Sequence, residues 1–419
     1  MTRDTRLLFA TRSVRMFGYG SLAVVLVLYL AAAGLDGAQI GLLLALTLLG
    51  DTLVSLWLTT RADRFGRRRT LVVGALLMAG AGVVFAWAGV LPAGVERFAV
   101  LLLAATIGVL SPSGNEVGPF LAVEQAALSQ VIDDRRRTAV FARYNLVGSV
   151  ATALGALGAG VAIGALRAAG LEALDAYRAV LVAYAALALA MVPLVRSVSA
   201  AVELPARTAE PDAGLGAELT RRFGLHRSRG IVLRLSLLFS LDAFGGGFVM
   251  QSLIAYWFHV RFDVPEVTIG AILFGANLLA AASALGAARI AARIGLINTM
   301  VFTHLPSNVL LILVPLMPTL PLAAGVLLAR YAISQMDVPT RQSYTMAVVD
   351  PDERSAAAGV TGIARTTGAA LSPLLAAPLI AVPALGALPF LIAGGLKIVY
   401  DLLLWRAFRA RPAPEERPR

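Results

Sequence analysis

The sequence predicts an all-α, polytopic membrane protein with twelve transmembrane helices in two pseudo-symmetric six-helix bundles. Three observations point there. Hydrophobic residues make up 58% of the 419 and charged residues only 15%, whereas a soluble domain carries about a quarter charged. The apolar residues gather in runs of about 20, enough to cross roughly 30 Å of hydrocarbon. The basic residues fall in alternate loops, as the positive-inside rule requires. A soluble enzyme, a disordered chain and a membrane β-barrel all fit this pattern poorly.

The first apolar run extends from Leu7 to Ala33. Ala31-Ala32-Ala33 could pass for a signal-peptidase site, but losing this run would spoil both the even span count and the matching halves. It is therefore read as a retained helix. The second run covers Ile40 to Thr60 and ends in an arginine-rich loop, Arg61 to Arg69. Further runs lie at 70–90, 97–125, 138–164 and 176–195. The stretch Arg196 to Gly230 has Pro205, Pro211, several acids and no long apolar run, so it reads as a cytoplasmic linker. A short amphipathic helix is expected from Leu215 to Leu225. Six more runs follow at 231–258, 267–290, 297–317, 322–347, 355–380 and 384–405, before a basic, Pro-rich tail. The expected organisation is a bundle over 1–195, a linker over 196–230 and a second bundle over 231–419.

The formal charge is +11, and Lys397 is the one lysine. In a soluble protein that excess would suggest nucleic acid. Here arginines cluster in the loops assigned to the cytoplasm, including Arg135 to Arg137, Arg289, Arg293 and Arg354. The loops assigned outside hold only Arg97, Arg167, Arg178 and Arg261. Both termini are thus placed in the cytoplasm of a cell-membrane protein. The chain has no cysteine, which removes disulfides, thiolate metal sites and cysteine nucleophiles. His226, His259 and His304 are scattered, so no metal centre is expected. No cofactor and no nucleic-acid partner are expected. The anticipated partners are a small-molecule substrate, protons and the bilayer, with the chain acting as a monomer.

The two halves echo each other. Glu124-Gln125 through Asp133-Asp134-Arg135-Arg136-Arg137-Thr138-Ala139 lies between the fourth and fifth spans. Arg341-Gln342 through Asp350-Pro351-Asp352-Glu353-Arg354-Ser355-Ala356 lies between the tenth and eleventh, in register and 217 positions later. Ala291-Ala292-Arg293-Ile294-Gly295 likewise echoes Ala62-Asp63-Arg64-Phe65-Gly66. Paired halves with a site near the midplane are a common transporter plan.

Residues Ala62 to Leu71, Ala-Asp-Arg-Phe-Gly-Arg-Arg-Arg-Thr-Leu, resemble the signature loop of the major facilitator superfamily. Thr59 and Arg61 replace the Gly and Leu that open the family pattern. With the six-plus-six layout, the resemblance covers essentially the whole chain. On physical grounds Asp63 could cap the helix starting at Ser355, Gly66 permits a tight turn, and Arg67 could pair with Asp133. The resemblance implies a cytoplasmic latch between the halves in the outward-open state. Asp63, Arg64, Gly66, Arg67, Asp133, Arg137, Asp350 and Arg354 are its candidate members. The bland alternative is that these arginines only set topology. The proline of the drug/proton antiporter pattern in the fifth span is missing, and the fourth span reads Ser111-Pro112-Ser113-Gly114-Asn115-Glu116-Val117-Gly118-Pro119 instead of carrying a central Arg.

Charges inside spans need a partner, a wet cavity or a function. Asp51, in the second span, is a candidate proton carrier because low-dielectric surroundings disfavour a bare carboxylate. A structural hydrogen bond is the alternative. Glu116 sits between Pro112 and Pro119, whose missing donors bend or loosen the helix. Asp242 precedes Gly245-Gly246-Gly247, which is read as a flexible break lining a cavity, with close helix packing the alternative, and Gln251 adds a polar group beyond it. Arg330, Asp337 and Arg341 are spaced at i, i+7 and i+11, so they are expected along one face, with Ser334 also on it. Asp337 and Arg341 can pair directly. Arg330 could bind an anionic substrate or pair with Asp51, Glu116 or Asp242. Arg143-Tyr144-Asn145, Arg365 and Lys397 are lesser candidates. Arg12 and Arg15 are expected to reach the headgroups, Glu124 and Gln125 to lie at the cytoplasmic mouth, and His304 to pack or to lie at the interface.

These features point to a secondary transporter working by alternating access on a proton gradient. Asp51, Asp242 and Glu116 would supply protonation sites, and Arg330 and Asp337 would help bind substrate. Export of a small organic compound is expected first. Uptake of a metabolite or organic anion is the alternative, and a non-transporting receptor or scaffold a further one. No Walker-type phosphate loop and no catalytic constellation stand out, so neither an ATP-driven pump nor an enzyme is expected.

Overall fold

The apolar runs become α-helices, and no strand occurs among the described residues. The computed structural model describes residues 2–410 except 116–117, 133, 204–226 and 351–352; the side chains of 63, 64, 134–139 and 355 also lie outside the description. The first crossings are α1 (Arg3–Ala32), α2 (Gly37–Phe65) and α3 (Arg67–Ala88). The fourth is split into α4 (Val95–Ile107) and α5 (Phe120–Val131), and α6 (Asp134–Ala168) and α7 (Ala173–Arg196) follow. The seventh is split into α8 (Arg229–Gly247) and α9 (Gln251–Phe262). Then come α10 (Glu266–Ile294) and α11 (Leu296–Leu313). The tenth comprises α12 (Leu320–Ser334) and α13 (Asp337–Ala347), the eleventh α14 (Arg354–Leu371) and α15 (Pro373–Ala381), and the twelfth α16 (Leu388–Phe408). Ten crossings are long and apolar enough to span a membrane by themselves. Among the described residues the fourth and tenth fall short, their longest helices running 13 and 15 residues.

Those breaks refine the sequence reading. The fourth run, expected as one bent helix over 97–125, has no helix between Ile107 and Phe120 among the described residues. Gly114 and Gly118 there have positive φ, at 68° and 78°, a region glycine enters without steric penalty. In the seventh crossing the helix continues through all three glycines and breaks just after them, at Phe248–Met250. The tenth breaks between Ser334 and Asp337, so Arg330 does not share one continuous helix face with Asp337 and Arg341. The helix expected at Leu215–Leu225 lies outside the described residues.

The chain divides into two compact units. One comprises Met1–Arg207, Met250–Leu278 and Ala377–Pro383, the other Thr208–Val249, Leu279–Ala376 and Ala384–Arg419. In the first unit α1 lies against α6 backbone to backbone. A Cβ on Gly20 would strike the Thr152 carbonyl, and one on Gly155 would strike the Phe17 carbonyl. Ser21 Oγ donates to the Gly155 carbonyl at 3.0 Å across the same seam. Small residues at such seams are how membrane helices gain contact where lipid supplies no hydrophobic drive. Helix α2 opens with a capping box, Gln39 N–H donating to Asp36 at 2.8 Å and Asp36 N–H to the Gln39 side chain at 3.0 Å.

In the second unit α8 packs on α14, where Gly368 faces the Ser240 carbonyl and Gly247 faces Ala369 and Ser372. Helix α11 meets α16 with Gly394 against the Asn308 carbonyl and Ile312. An apolar cluster of Leu235, Phe239, Met300, Val301, Tyr344, Tyr400 and Leu404 fills the interior beside these seams.

Candidate functional site

The second unit gathers its intramembrane charges around one carboxylate. Asp242, on α8, is 3% exposed. Lys397 Nζ on α16 donates to its Oδ1 at 2.6 Å, and Arg341 Nη1 on α13 and Arg365 Nη1 on α14 each donate to Oδ2 at 3.2 Å. His304 on α11 brings Nε2 within 3.9 Å of Oδ1. Four side chains from four other helices thus converge on one acid. A carboxylate in hydrocarbon is tolerated only when so partnered.

Two further acids complete the cluster. Asp337 accepts from Arg341 Nη1 at 2.8 Å, one turn away on α13. Asp401 on α16 is fully buried, 2.9 Å from His304 Nδ1, and accepts from Asn308 Nδ2 at 2.9 Å. His304 therefore stands between Asp401 and Asp242, and Tyr400 lies edge-on to its ring at 6.0 Å. Three basic side chains, Arg341, Arg365 and Lys397, meet three carboxylates, Asp242, Asp337 and Asp401.

Of the residues singled out in the sequence, Asp242, Asp337 and Arg341 come together here, joined by Arg365 and Lys397. His304, expected to pack or to lie at the interface, sits among the charges instead. Asp401 was not anticipated. Its one usable signal was its place in an apolar run four residues after Lys397, a helical ion-pair spacing. Arg330 is 7% exposed and lies over the Tyr331 ring at 5.0 Å. It makes no ion pair with a carboxylate among the described residues, and its Nε is buried without a hydrogen-bond partner. Gln251, in the first unit, pairs its amide with Asn277 at 2.9 and 3.2 Å.

A second buried charge group lies in the first unit and corrects the headgroup assignment of Arg12 and Arg15. Arg15 on α1 donates through Nη1 and Nη2 to the two oxygens of Glu124 on α5, at 2.8 and 2.7 Å. Both side chains are fully buried. Thr11 Oγ1 donates to Glu124 at 2.9 Å and the Tyr144 hydroxyl also donates to it. Glu124 is thus a buried acceptor and not a residue of an open mouth. The Arg12 guanidinium lies 4.1 Å over the Tyr144 ring and donates to Asn145 at 3.4 Å. Glu124 and Arg341 are the residues that the internal repeat places in register. Each binds an opposite charge on the first crossing of its own half, with the polarity exchanged.

Asp51 on α2 faces the Gly118 N–H and the Ser55 hydroxyl, and its Oδ1 is buried with no hydrogen-bond partner among the described residues. Glu116 lies outside the described residues, as do Asp133 and the side chains of Asp63, Arg64 and Arg137. In the signature loop Gly66 turns the chain at φ 94°. The exposed N-terminus of α3 is capped by Glu203, which accepts from the N–H groups of Arg67 and Arg68 at 2.7 and 3.1 Å. Arg67 Nη1 donates to the carbonyls of Val202 and Ala126 at 3.0 and 3.3 Å. In the second unit Glu353 plays the capping part, accepting from Arg227 and Ser228 N–H at 2.8 and 2.9 Å ahead of α8. Asp350 N–H donates to Ser228 at 3.2 Å, and Arg354 Nε to the Met346 carbonyl at 2.9 Å. Sequence reasoning missed Glu203 and Glu353, because a cap supplied from a distant loop leaves no local spacing.

A family model described as Major Facilitator Superfamily matches residues 8–373. The uncharacterized membrane protein YJR124C of Saccharomyces cerevisiae is 32% identical over 426 residues, spanning 96% of this chain and 93% of that protein. Among solved structures, the nucleoside transporter NupG matches with a TM-score of 0.73 at 14% identity, covering 98% of this chain and 100% of its own. A D-xylose–proton symporter matches at 0.70 and 15%, covering 98% of each. The human organic anion transporter MFSD10 (TETRAN) matches at 0.63 and 18%, covering 96% of this chain and 99% of its own. At these identities the likeness speaks to the fold.

Proposed function

Because this chain belongs to the Major Facilitator Superfamily, a family of membrane transporters, we propose that it carries a small organic solute across the cell membrane by proton-coupled alternating access, in the direction of export. The observation that carries the reading is the convergence of Lys397, Arg341, Arg365 and His304 on Asp242. A membrane protein that only held its shape would be better served by apolar packing, since replacing a buried ion pair by hydrophobic residues is often neutral or stabilising. A carboxylate shared among several cations can exchange partners when it gains a proton, and each exchange favours a different arrangement of the helices that bear them. Breaks in the crossings that hold Asp242, Arg341 and Arg365 supply joints for that rearrangement.

Asp51 is the corresponding candidate in the first unit, since an unpartnered buried oxygen is ready to hold a proton. The signature loop, with Gly66 and Arg67 fixed by Glu203, is read as part of the cytoplasmic latch. The bundles over 1–195 and 231–419, joined by the cytoplasmic linker, are read as the moving halves.

Proteoliposomes under an imposed pH gradient test this reading with a panel of neutral, cationic and anionic organic compounds. Solute flux should rise with the gradient, and Asp242→Asn should reduce gradient-driven flux at least tenfold. Flux that ignores the gradient would remove proton coupling, and full coupling in both Asp242→Asn and Asp51→Asn would remove the site assignment. Inside-out vesicles accumulating solute while right-side-out vesicles lose it would support export.

A further inference from the structure

The cluster around Asp242 is closed on every side except at Arg365. Side-chain exposure is 5% for Asp242, 9% for Arg341, 8% for Lys397 and 5% for His304, but 33% for Arg365. Among the described residues Arg365 gives one hydrogen bond, at 3.2 Å, to Asp242, and a guanidinium has five N–H donors in a fork that fits a carboxylate or phosphate. The α14 surface one turn before it is open: a Cβ added at Gly362 would meet nothing within 4 Å, and Gly362 is exposed, as is Ile363 at 37%.

Charge bookkeeping sharpens the picture. With His304 neutral, the cluster's three cations balance its three carboxylates. A monoanion arriving at Arg365 would displace Asp242, leaving that acid with Lys397, Arg341 and His304. The local balance would then be restored by one proton, for which His304, flanked by Asp242 and Asp401 with Lys397, Arg341 and Tyr400 nearby, provides a place.

Resting on the transport reading above, we propose that the solute is a small organic anion, bearing a carboxylate or phosphate monoester, that binds Arg365 in place of Asp242 together with one proton. The anion and the proton then cross as a pair in one direction, so an inward proton gradient drives uptake, the alternative to the export read above, and neither is left bare in the membrane interior.

Titration calorimetry on the purified full-length protein tests this, with benzoate, phenyl phosphate and the neutral isostere benzamide as probes, in buffers of differing ionisation heat. Benzoate or phenyl phosphate should bind and benzamide should not, and the tighter of the two anions identifies the headgroup. Benzoate binding should take up about one proton, so that affinity falls about tenfold per pH unit on the alkaline side. Arg365→Gln should weaken anion binding at least tenfold, while Arg365→Lys keeps part of it. Equal binding of benzamide, absence of binding by both anions, anion binding without proton uptake, or unchanged affinity in Arg365→Gln would each overturn the proposal. In proteoliposomes, gradient-driven flux of a neutral solute that survives Arg365→Gln would overturn the anion assignment and leave the transport reading standing. Proton-linked anion binding without flux of any solute would do the reverse.

Discussion

Arg15 and Glu124 show how much a single buried charge can depend on its partner. Removing one member of a fully buried pair leaves the other desolvated, at a cost of about 3–5 kcal/mol. Glu124→Gln should therefore lower thermal stability sharply, as read by unfolding of the detergent-solubilised protein. The double change Arg15→Met with Glu124→Leu should recover most of the loss, because neither charge then remains. If the double variant is no more stable than the single one, the pair is held for another reason. The sequence showed each of these residues and even the register that links Glu124 to Arg341. It did not show that α1 turns Arg15 inward, since a long cation near a helix end can equally snorkel to the headgroups.

At the scale of elements, glycines divide into two kinds that the sequence alone does not separate. Gly155 meets the Phe17 carbonyl across the α1–α6 seam, whereas Gly359 and Gly362 on α14 face open space. Gly155→Ala should lower the unfolding temperature by forcing two helices apart. Gly359→Ala should hold or raise it, because alanine improves helix propensity by about 1 kcal/mol over glycine. Equal effects at the two sites would contradict the packing described here. The helix breaks follow the same logic of partial legibility. Pro112, Gly114, Gly118 and Pro119 marked the fourth crossing as irregular, whereas the break in the tenth, between Ser334 and Asp337, is announced only by Pro339, which has no N–H for the Gln335 carbonyl.

For the molecule as a whole, the arginine pattern leads us to expect the termini and the linker in the cytoplasm. The absence of native cysteine makes this directly testable. In intact cells Ala93→Cys should react with a membrane-impermeant maleimide, while Ala209→Cys should react only with a permeant one. The reverse labelling would invert the topology.

Fold class, the twelve crossings and family membership were all legible in the linear chain, because hydrocarbon imposes length and polarity rules that each run must satisfy by itself. The loop motif and the repeat survive in any orientation of the helices, so they too could be read locally. The site could be read only in part. Asp242, Asp337 and Arg341 stood out as charges in apolar runs, but their bonds join residues up to 155 positions apart. Which cation meets which acid depends on helix rotation and on where crossings break, and both are set by packing against neighbours. Tertiary structure alone decided that His304 and Asp401 belong with Asp242, that Arg330 stands apart from any carboxylate among the described residues, and that Arg365 is the exposed edge of the cluster.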